Sequence, residues 1–294
     1  MNRRRILVTG ASGYLGSRLC AHLERSAQVI RWTRSTGPAL DDFDDISRAL
    51  DRLRPDHVVH AAGRTFGNDN LLWHDNALVT RVLANAVTAV CPDAILTVFG
   101  SAAEYGVPVG GHMLSENDAC NPVSAYGLSK LAATRLVLTL VEERGLRANV
   151  IRPFNLIGVP LSPAQVLGAF VAKAREVRHL APQRRQITMG RLDSVRDFFV
   201  VDDLVHLIDV LVSQNTYGIL TNACSGVPRR VRELIFFLNE LSGGRFAILE
   251  SGEPPESESI VIGDPTRFLT LSGRASPTPL EPVLTEAWRQ AMGD

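Results

Sequence analysis

A tyrosine and a lysine stand four residues apart in the segment SAYGLSK, residues 124–130. The chain has only four tyrosines, and Lys130 is one of only two lysines among 31 basic residues. Four residues is about one helical turn, so a helix that begins near Ser124 places Tyr126 and Lys130 on one face. A phenol has a pKa near 10 and needs a nearby cation to exchange a proton at neutral pH. The pair therefore predicts that Tyr126 transfers protons and that Lys130 lowers its pKa.

A hydroxyl that polarises the reacting oxygen is expected at the end of a strand beside this helix. Ser101 follows the apolar run LTVFG, residues 96–100, and is so placed. We predict that it donates to the oxygen that Tyr126 protonates. Plainer interpretations stay open, because Ser101 could only cap a turn and Tyr126 could only pack at a helix start while Lys130 is solvated.

The elements that must position these residues begin with an apolar run, three glycines and a helical leucine pattern within residues 3–26. This pattern indicates a strand, a tight turn and a helix. Gly10 turns the chain, Gly13 admits a pyrophosphate, and Gly16 lets the helix lie close to the strand. The helix start favours anions through its free N–H groups and its dipole. We predict cofactor contacts from Gly10, Gly13, Tyr14, Leu15 and Gly16; a glycine turn without a ligand is the alternative.

The segment QVIRWTRS, residues 28–35, is predicted as the second strand, and its end indicates which dinucleotide binds. An NAD site usually has Asp or Glu there for the ribose hydroxyls, whereas a 2′-phosphate needs a cation instead. Arg34 offers a planar donor fork to a phosphate, and Ser35 offers a hydroxyl. We therefore predict NADP(H), whose oxidised nicotinamide is cationic and helps to lower the pKa of Tyr126. An ordinary solvent-exposed arginine is the alternative.

Strands and amphipathic helices alternate along the first half of the chain. We predict strands at 28–35, 57–62 and 94–100 and helices at 45–53 and 76–90. Such alternation predicts an α/β fold with a Rossmann-type doubly wound parallel sheet. The alternation becomes irregular from about residue 156, which indicates a smaller, discontinuous α/β substrate lobe. We predict an NADP-binding Rossmann domain of residues 1–155 and 195–227, and a substrate-binding lobe of residues 156–194 and 228–294.

Charge and composition exclude several classes of protein. The formal net charge is 0, which argues against nucleic acid or an anionic membrane surface as the main partner. No apolar run approaches the roughly 18 residues of a membrane span. The four cysteines are far apart and the start of the chain has no secretory pattern, so we expect a protein of the reduced cytoplasm. The seven histidines form no spaced ligand pair, so no metal is expected.

Ordered motifs along nearly the whole chain resemble the extended short-chain dehydrogenases/reductases of the NAD-dependent epimerase/dehydratase type, which act mainly on nucleotide sugars. The motifs are the glycine turn at 10–16, DDFDD at 41–45, HAAG at 60–63, NALVT at 76–80, GSAAEYG at 100–106, YGLSK at 126–130, RPFNLIG at 152–158 and RDFFVVDDL at 196–204. Within this family, GSAAEYG and the segments around RPFNLIG and RDFFVVDDL look like those of GDP-4-keto-6-deoxymannose reductases. The resemblance supports a sugar-ketone reductase without fixing the sugar.

The resemblance also implies roles for individual residues. Tyr126 is expected to be the catalytic acid/base, Lys130 its activator and a ribose ligand, and Ser101 a donor to the substrate oxygen. Further cofactor contacts are implied for Asp42 and Phe43 at the adenine, Ala61, Ala62 and Gly63 in the loop over the cofactor, and Pro153 near the nicotinamide. Substrate contacts are implied for Ser101, Tyr126, Asn155 and Arg196, the last at the diphosphate.

Family helices that begin near residues 76 and 124 commonly pair across a two-fold axis into a four-helix bundle, so a homodimer is expected. Four leucines of the second helix either line that seam or face the protein's own core: Leu131, Leu136, Leu138 and Leu140.

The residues after Ser101 limit the reaction. Dehydratases and decarboxylases of the family have acidic side chains there, whereas this chain has Ala102 and Ala103, which cannot transfer protons. Two enzymatic interpretations remain: NADPH-dependent reduction of a nucleotide-linked 4-keto-6-deoxysugar to the alcohol, or a nucleotide-sugar epimerase that retains NAD. The predicted 2′-phosphate site favours the reductase. A non-catalytic NADP-binding regulator is a third interpretation, although such proteins typically lose the tyrosine or lysine that this chain keeps.

The sequence leaves the sugar and its base open. Related reductases carry an Arg-Pro-x-Glu type segment that helps to bind the nucleotide, whereas residues 254–257 read PPES, with no arginine at the matching place. This difference puts guanosine as the base in doubt.

Overall fold

A computed structural model describes residues 3–108, 111–253 and 259–293. The strands are β1 (Arg5–Thr9), β2 (Gln28–Trp32), β3 (His57–His60), β4 (Ile95–Phe99), β5 (Ala148–Pro153), β6 (Asn155–Ile157), β7 (Gln186–Met189), β8 (Val195–Val200), β9 (Leu220–Ala223), β10 (Pro228–Arg230), β11 (Ala247–Glu250) and β12 (Ile260–Val261). The α-helices are α1 (Tyr14–Leu23), α2 (Phe43–Leu53), α3 (Asp69–Leu72), α4 (Val79–Val90), α5 (Ala125–Arg144), α6 (Val166–Val177), α7 (Val201–Gln214), α8 (Val231–Glu240), α9 (Thr266–Ser272) and α10 (Leu280–Met292).

Six strands form one parallel sheet in the order β2-β1-β3-β4-β5-β9. Because successive side chains of a strand point to opposite faces, β1 contributes to two cores. Leu7 packs with residues of α2, α4 and α5 on one face. Ile6 and Val8 pack with residues of α1 and α7 on the other. The predicted Rossmann-type doubly wound parallel sheet is confirmed.

The second half of the chain builds smaller sheets. β8 pairs with β6, β10 and β12, and β7 pairs with β11. Helices α6, α8 and α10 pack around a separate core that includes Phe170, Leu234 and Leu284. The segment 195–227, predicted to belong to the cofactor domain, is divided: β8 lies in a smaller sheet, whereas α7 packs on the large sheet and β9 extends it. The division of the chain into two domains stays a prediction.

Asp197 of β8 connects three separate segments of the second half of the chain through hydrogen bonds. Its carboxylate is fully buried and accepts hydrogen bonds from the N–H groups of Ser225, Gly226 and Gly263 at 2.8, 2.8 and 3.2 Å. The Ser225 hydroxyl donates a fourth, at 2.7 Å. Burial raises the pKa of this carboxyl, and the hydrogen bonds partly offset that rise. One side chain therefore holds β8, the turn after β9 and the segment after β12.

The bounds of two predicted elements differ from the structure by more than two residues at one end. The helix predicted at 76–90 belongs to a helical run that begins at Asp69 and passes through a π-helical turn, Trp73–Leu78, before α4. The strand predicted at 28–35 ends at Trp32, because the hydroxyl of Thr36 folds back onto the carbonyl of Arg31 at 2.8 Å and turns the chain.

Three of the four leucines proposed for a dimer seam pack against the protein's own core. Leu136 and Leu138 are partly buried against the core between the large sheet, α4 and α5, and Leu140 is buried within it. The homodimer stays a prediction, and these three leucines give it no support.

The Phe199–Phe268 contact joins α9 to the main body and gives a test of the packing. The two rings are fully buried and meet edge to face, with centroids 4.9 Å apart. Because Phe268→Ala leaves a cavity, we expect the free energy of unfolding to fall by about 3–5 kcal/mol in urea denaturation. Phe236→Ala is the matched control, since Phe236 is 46% exposed, and should cost less than about 1 kcal/mol. Equal losses for the two variants would contradict this packing.

Candidate active site

The three residues predicted to be catalytic meet where β4 ends and α5 begins. Ser124 caps α5 by accepting a hydrogen bond from a backbone N–H at 3.1 Å, and Tyr126 and Lys130 lie in the first two turns. The Lys130 Nζ donates a hydrogen bond of 2.9 Å to the carbonyl of Phe99, the last residue of β4. Ser101 follows that strand, and its hydroxyl lies close enough to the phenol of Tyr126 to lower the pKa of that group. The structure thus brings Ser101, Tyr126 and Lys130 together, while their catalytic roles stay predictions.

Ser101 also caps the short 3₁₀ turn Ala102–Glu104. Its hydroxyl accepts from the N–H of Ala103 at 3.1 Å, and its own N–H donates to Oε1 of Glu104 at 2.9 Å. This reciprocal capping box fixes the backbone at Ser101. The serine therefore caps a turn and contacts the tyrosine at the same time.

The pKa of Tyr126 is raised rather than lowered by the protein's own residues. Burial is the main cause, and the Glu104 carboxylate adds to it, whereas the hydrogen bond to Ser101 opposes the rise. Contrary to the expectation from the sequence that Lys130 lowers it, the pKa of Tyr126 is not lowered in the chain alone, because removal of the phenol from water outweighs the effect of Ser101. The phenol therefore keeps its proton at neutral pH.

Burial also affects the charge of Lys130. Burial lowers its pKa to about 8, and the Glu104 carboxylate opposes that fall. The ammonium is therefore largely protonated at neutral pH and loses its charge in mildly alkaline solution.

The turn between β1 and α1 fits a dinucleotide pyrophosphate. Gly10 has a φ of 64°, and a Cβ there would lie 2.6 Å from the backbone N of Ala62. A Cβ at Gly16 would lie 2.1 Å from the carbonyl oxygen of Gly10, so the helix touches the turn. Gly13 caps α1 without a side-chain hydrogen bond, and the first turn, which starts at Tyr14, has no acidic residue. The N–H groups of this helix start are therefore free of a competing carboxylate.

The end of β2 presents hydroxyls and a cation. The Thr33 hydroxyl lies 3.0 Å from those of Ser35 and Thr36, which orders the turn. Arg34 is exposed and makes no side-chain hydrogen bond or ion pair within the described part of the chain. Its guanidinium is therefore free to meet an anion beside the hydroxyl cluster.

The residues predicted at the adenine begin α2. Asp42 caps this helix by accepting from the N–H of Asp45 at 2.8 Å, so its carboxylate already has a structural partner. Phe43 is 43% exposed and opens the helix. An exposed ring at this place is compatible with stacking on a base.

The loop Ala61–Gly63 leaves β3 beside the glycine turn and Lys130. The N–H of Ala62 donates to the Thr9 hydroxyl at 3.3 Å, and a Cβ at Gly63 would lie 3.4 Å from Lys130 Nζ. His60, just before the loop, is buried between hydroxyls, with Nδ1 2.7 Å from Oγ1 of Thr9. Burial lowers the pKa of His60 to about 3, so the ring is a neutral structural group.

Asn76 links this loop to the catalytic helix and was not recognised from the sequence. It is buried in the π-helical turn, where its Oδ1 accepts from the Arg64 N–H at 2.9 Å. Its Nδ2 donates to the Ser129 hydroxyl at 3.0 Å, and that hydroxyl donates to the Tyr126 carbonyl at 2.8 Å. Asn76 opens the motif NALVT, which was the signal that could have identified it.

A buried ion pair lies directly beneath Ser101 and was also missed. Oε2 of Glu104 accepts from Nε of Arg152 at 2.8 Å, and both side chains are almost completely buried. Arg152 also donates to the Tyr105 hydroxyl at 3.0 Å. Only the unusual acidic residue before Tyr105 hinted at this arrangement in the sequence.

The predicted substrate residues lie where β5, β6 and β8 converge. Asn155 Nδ2 donates to the Asp197 carbonyl at 2.7 Å, and Pro153 ends β5 two residues earlier. Arg196 donates to the carbonyls of Val195 and Ser259 at 2.9 and 2.6 Å but has no carboxylate partner among the described residues. Burial lowers the pKa of this unpaired guanidinium, which makes it a suitable contact for an anion.

Some expectations fall outside this site or outside the described residues. The segment 254–257, which lacks the expected arginine, is among the residues that the structure does not describe.

Within residues 3–108, 111–253 and 259–293, no cluster of three His, Cys, Asp or Glu side chains is arranged to hold a metal ion. Over the same residues, no helix combines the length and apolar character needed to cross a membrane.

Comparison with known proteins agrees with this geometry. The chain is 31% identical over 86% of its length, and 85% of the relative's, to dTDP-6-deoxy-L-talose 4-dehydrogenase (NAD(P)(+)) of Kitasatospora kifunensis. It is 30% identical over 84% of its length, and 83% of the relative's, to GDP-6-deoxy-D-mannose reductase of Pseudomonas aeruginosa. Its fold matches the structure of RMD from Pseudomonas aeruginosa complexed with NADPH, with a TM-score of 0.86, 26% identity and 99% of each chain covered.

A family model matches the part of the chain that carries the glycine turn, the three residues predicted to be catalytic and most of the large sheet. Residues 6–220 fit the model of the NAD dependent epimerase/dehydratase family. This match spans well over half of the chain and agrees with the resemblance drawn from the motifs. The chain is a member of the NAD dependent epimerase/dehydratase family.

Proposed function

We propose that the protein is an oxidoreductase of nucleotide sugars that uses NADPH to reduce a nucleotide-linked 4-keto-6-deoxysugar to the alcohol. The observation that carries the proposal is the assembly of Ser101, Tyr126 and Lys130 beside the glycine turn, with alanines at 102 and 103. These alanines place no acidic side chain at positions 102 and 103, where elimination chemistry would need one, so Tyr126 is the proton donor for the substrate oxygen.

The proton chemistry follows from the surroundings of Tyr126. Bound at the glycine turn, NADPH would supply the hydride that the keto carbon accepts. Tyr126 keeps its proton at neutral pH because of burial, and that is the form required to protonate a developing alkoxide. Ser101 hydrogen-bonds to the same oxygen and stabilises its charge. The Lys130 ammonium holds the nicotinamide ribose and compensates the negative charge that forms on the phenol.

The preference for NADP(H) rests on the end of β2. Arg34 is a free cation next to the hydroxyls of Thr33, Ser35 and Thr36, and no carboxylate stands in that turn to bind a 2′-hydroxyl. The relative from Kitasatospora kifunensis carries both cofactors in its name, and the neighbouring structure from Pseudomonas aeruginosa contains NADPH. Both are compatible with NADPH as the reductant.

The nucleotide linkage rests on Arg196 and on the relatives. A half-buried arginine that has no acidic partner among the described residues is a suitable ligand for a diphosphate. The two relatives named above act, by their names, on dTDP- and GDP-linked 6-deoxysugars, which supports the 6-deoxysugar class but leaves the base between these two. The 4-position is supported by the name of the dTDP-sugar relative.

A purified sample should consume NADPH in stoichiometric amounts with one member of a panel of dTDP-, GDP- and UDP-4-keto-6-deoxysugars. Absorbance of NADPH is the measurement, with NADH in a parallel series. Tyr126→Phe should lower kcat by about 10²- to 10⁴-fold, because the proton donor is lost, and should leave the dissociation constant for NADPH unchanged.

Tyr217→Phe is the matched control for Tyr126→Phe, since Tyr217 is 52% exposed and precedes the first residue of β9, whereas Ser101 follows the last residue of β4. Near-wild-type turnover by Tyr126→Phe would remove Tyr126 from the mechanism. A changed sugar with tightly bound NAD and no net loss of NADPH would identify an epimerase. Binding of NADP without any turnover would identify a regulator.

Arg34→Ala tests whether Arg34 binds the 2′-phosphate of NADPH. A charge-assisted hydrogen bond contributes about 1.5–3 kcal/mol, so kcat/KM for NADPH should fall about 10- to 100-fold while that for NADH stays within about twofold. Arg52→Ala is the control: Arg52 is also an exposed arginine but lies on α2, and its loss should leave kcat/KM for both cofactors unchanged. An equal loss with both cofactors would show that Arg34 does not discriminate between them.

The rate of reduction should decline as the pH rises through about 8. Lys130 has a pKa of about 8 because of burial, so its ammonium is lost in that range. Tyr126, with a raised pKa, gives up its proton at higher pH and does not cause this first decline. The test is kcat/KM between pH 6 and about 10, with circular dichroism as the control for folding. A constant value across this range would exclude Lys130 as the group that titrates.

A further inference from the structure

We propose that Glu104, paired with Arg152, is a positioning residue of this active site. It fixes the backbone of Ser101, and its negative charge favours the protonated forms of Tyr126 and Lys130. The inference rests on the proposed function and assigns a role to a side chain that touches neither cofactor nor substrate in that mechanism.

The Glu104 carboxylate is held by hydrogen bonds from three different elements. Oε1 accepts from the Ser101 N–H and from the Thr134 hydroxyl of α5, both at 2.9 Å. Oε2 accepts from Nε of Arg152 on β5 at 2.8 Å. Because the side chain has no solvent exposure, it has no alternative partner in water. The carboxylate therefore fixes the end of β4 relative to both α5 and β5.

The absence of a side chain at Gly100 leaves room for the Glu104 carboxylate. A Cβ on Gly100 would lie 2.2 Å from Oε1 of Glu104, so any larger residue would push the carboxylate off the Ser101 N–H. Gly100 also donates its own N–H to the carbonyl of Ile151 at 2.7 Å, which ties the strand end to β5. The cavity beneath Ser101 thus fits an acidic side chain folded back on its own turn.

Stability alone is a weak reason for a buried ion pair. Taking two charges out of water costs about as much free energy as their attraction returns, and apolar residues of similar volume often replace such pairs without loss. The pair does, however, place one negative charge directly beneath the catalytic residues. Its effect on their protons is therefore the more specific consequence.

The charge of Glu104 acts on Tyr126 and Lys130 in the same direction. It raises the pKa of both, so it favours the protonated phenol and the ammonium that reduction requires. The other titratable groups of the described residues around this carboxylate are Arg152, Tyr105 and Cys120. Burial raises the pKa of Tyr105 to about 12 and that of Cys120 above its usual range, so both are neutral. Arg152 is the remaining cation and pairs directly with Glu104.

Two substitutions separate the charge of Glu104 from its reach. Glu104→Gln removes the charge but keeps the length and an oxygen for the Ser101 N–H. Glu104→Asp keeps the charge but is one methylene shorter, so it cannot hold Ser101 and Arg152 together. A purely structural carboxylate would affect only thermal stability and the fraction of active protein in both variants.

Glu104→Gln should shift the alkaline decline of kcat/KM to lower pH by about one unit, because both catalytic groups lose a favourable negative neighbour. Glu104→Asp should keep that pH dependence but lower kcat about 10- to 100-fold, with an unchanged KM for NADPH, because Ser101 moves. An unshifted decline in the Gln variant would overturn the electrostatic role. An unchanged kcat in the Asp variant would overturn the positioning role. This test of the positioning role remains available if the Gln variant does not fold.

A second measurement does not depend on turnover. The near-ultraviolet absorbance of tyrosinate, taken as the difference between a protein and its Tyr126→Phe derivative, reports the titration of Tyr126 itself. Its midpoint should move to lower pH in Glu104→Gln and stay in place in Glu104→Asp. If the wild-type protein reduces no sugar ketone, the proposed function fails, whereas this shift still supports Glu104. An unmoved midpoint contradicts the role of Glu104 whatever the substrate.

Discussion

The buried ion pair between Glu104 and Arg152 is the contact on which the arrangement around Ser101 and Tyr126 depends. A carboxylate without solvent exposure must keep its partners, so the segments that supply them hold fixed positions relative to one another. Those partners come from the strand end that carries Ser101, from the neighbouring strand and from the helix that carries Tyr126. The distance between the serine and tyrosine hydroxyls is therefore set by the core rather than by a surface loop.

The same edge of the parallel sheet gathers the parts that bind cofactor, as the fold class predicts for the carboxyl ends of its strands. A chain of hydrogen bonds connects those parts to the catalytic helix. Thr9, at the end of β1, contacts His60, which reaches the carbonyl of Asn76 through the hydroxyl of Thr80. Asn76 then contacts the Ser129 hydroxyl beside Tyr126. A neutral histidine thus joins the glycine turn to the helix that carries Tyr126 without adding a charge to either.

Local patterns in the sequence were enough to predict the parallel sheet, the glycine turn and the grouping of Ser101, Tyr126 and Lys130, because each depends on spacing within one or two elements. The pair of Glu104 with Arg152 could not be predicted, since its partners are 48 residues apart and meet only when β4 and β5 align. The raised pKa of Tyr126 was missed for a related reason: burial depends on the whole fold. Nor does the apolar run of β8 indicate which sheet it joins.

The carboxylate of Asp197 has a practical consequence for engineering. It binds the turn at Ser225 and Gly226 and the backbone of Gly263, so segments that are far apart in the gene share one anchor. Recombination between homologues that exchanges residues 228–294 as a block would separate Gly263 from its anchor and combine backbones that were never selected together. Libraries meant to alter sugar preference should inherit Asp197, this turn and Gly263 from a single parent and place crossovers outside that set.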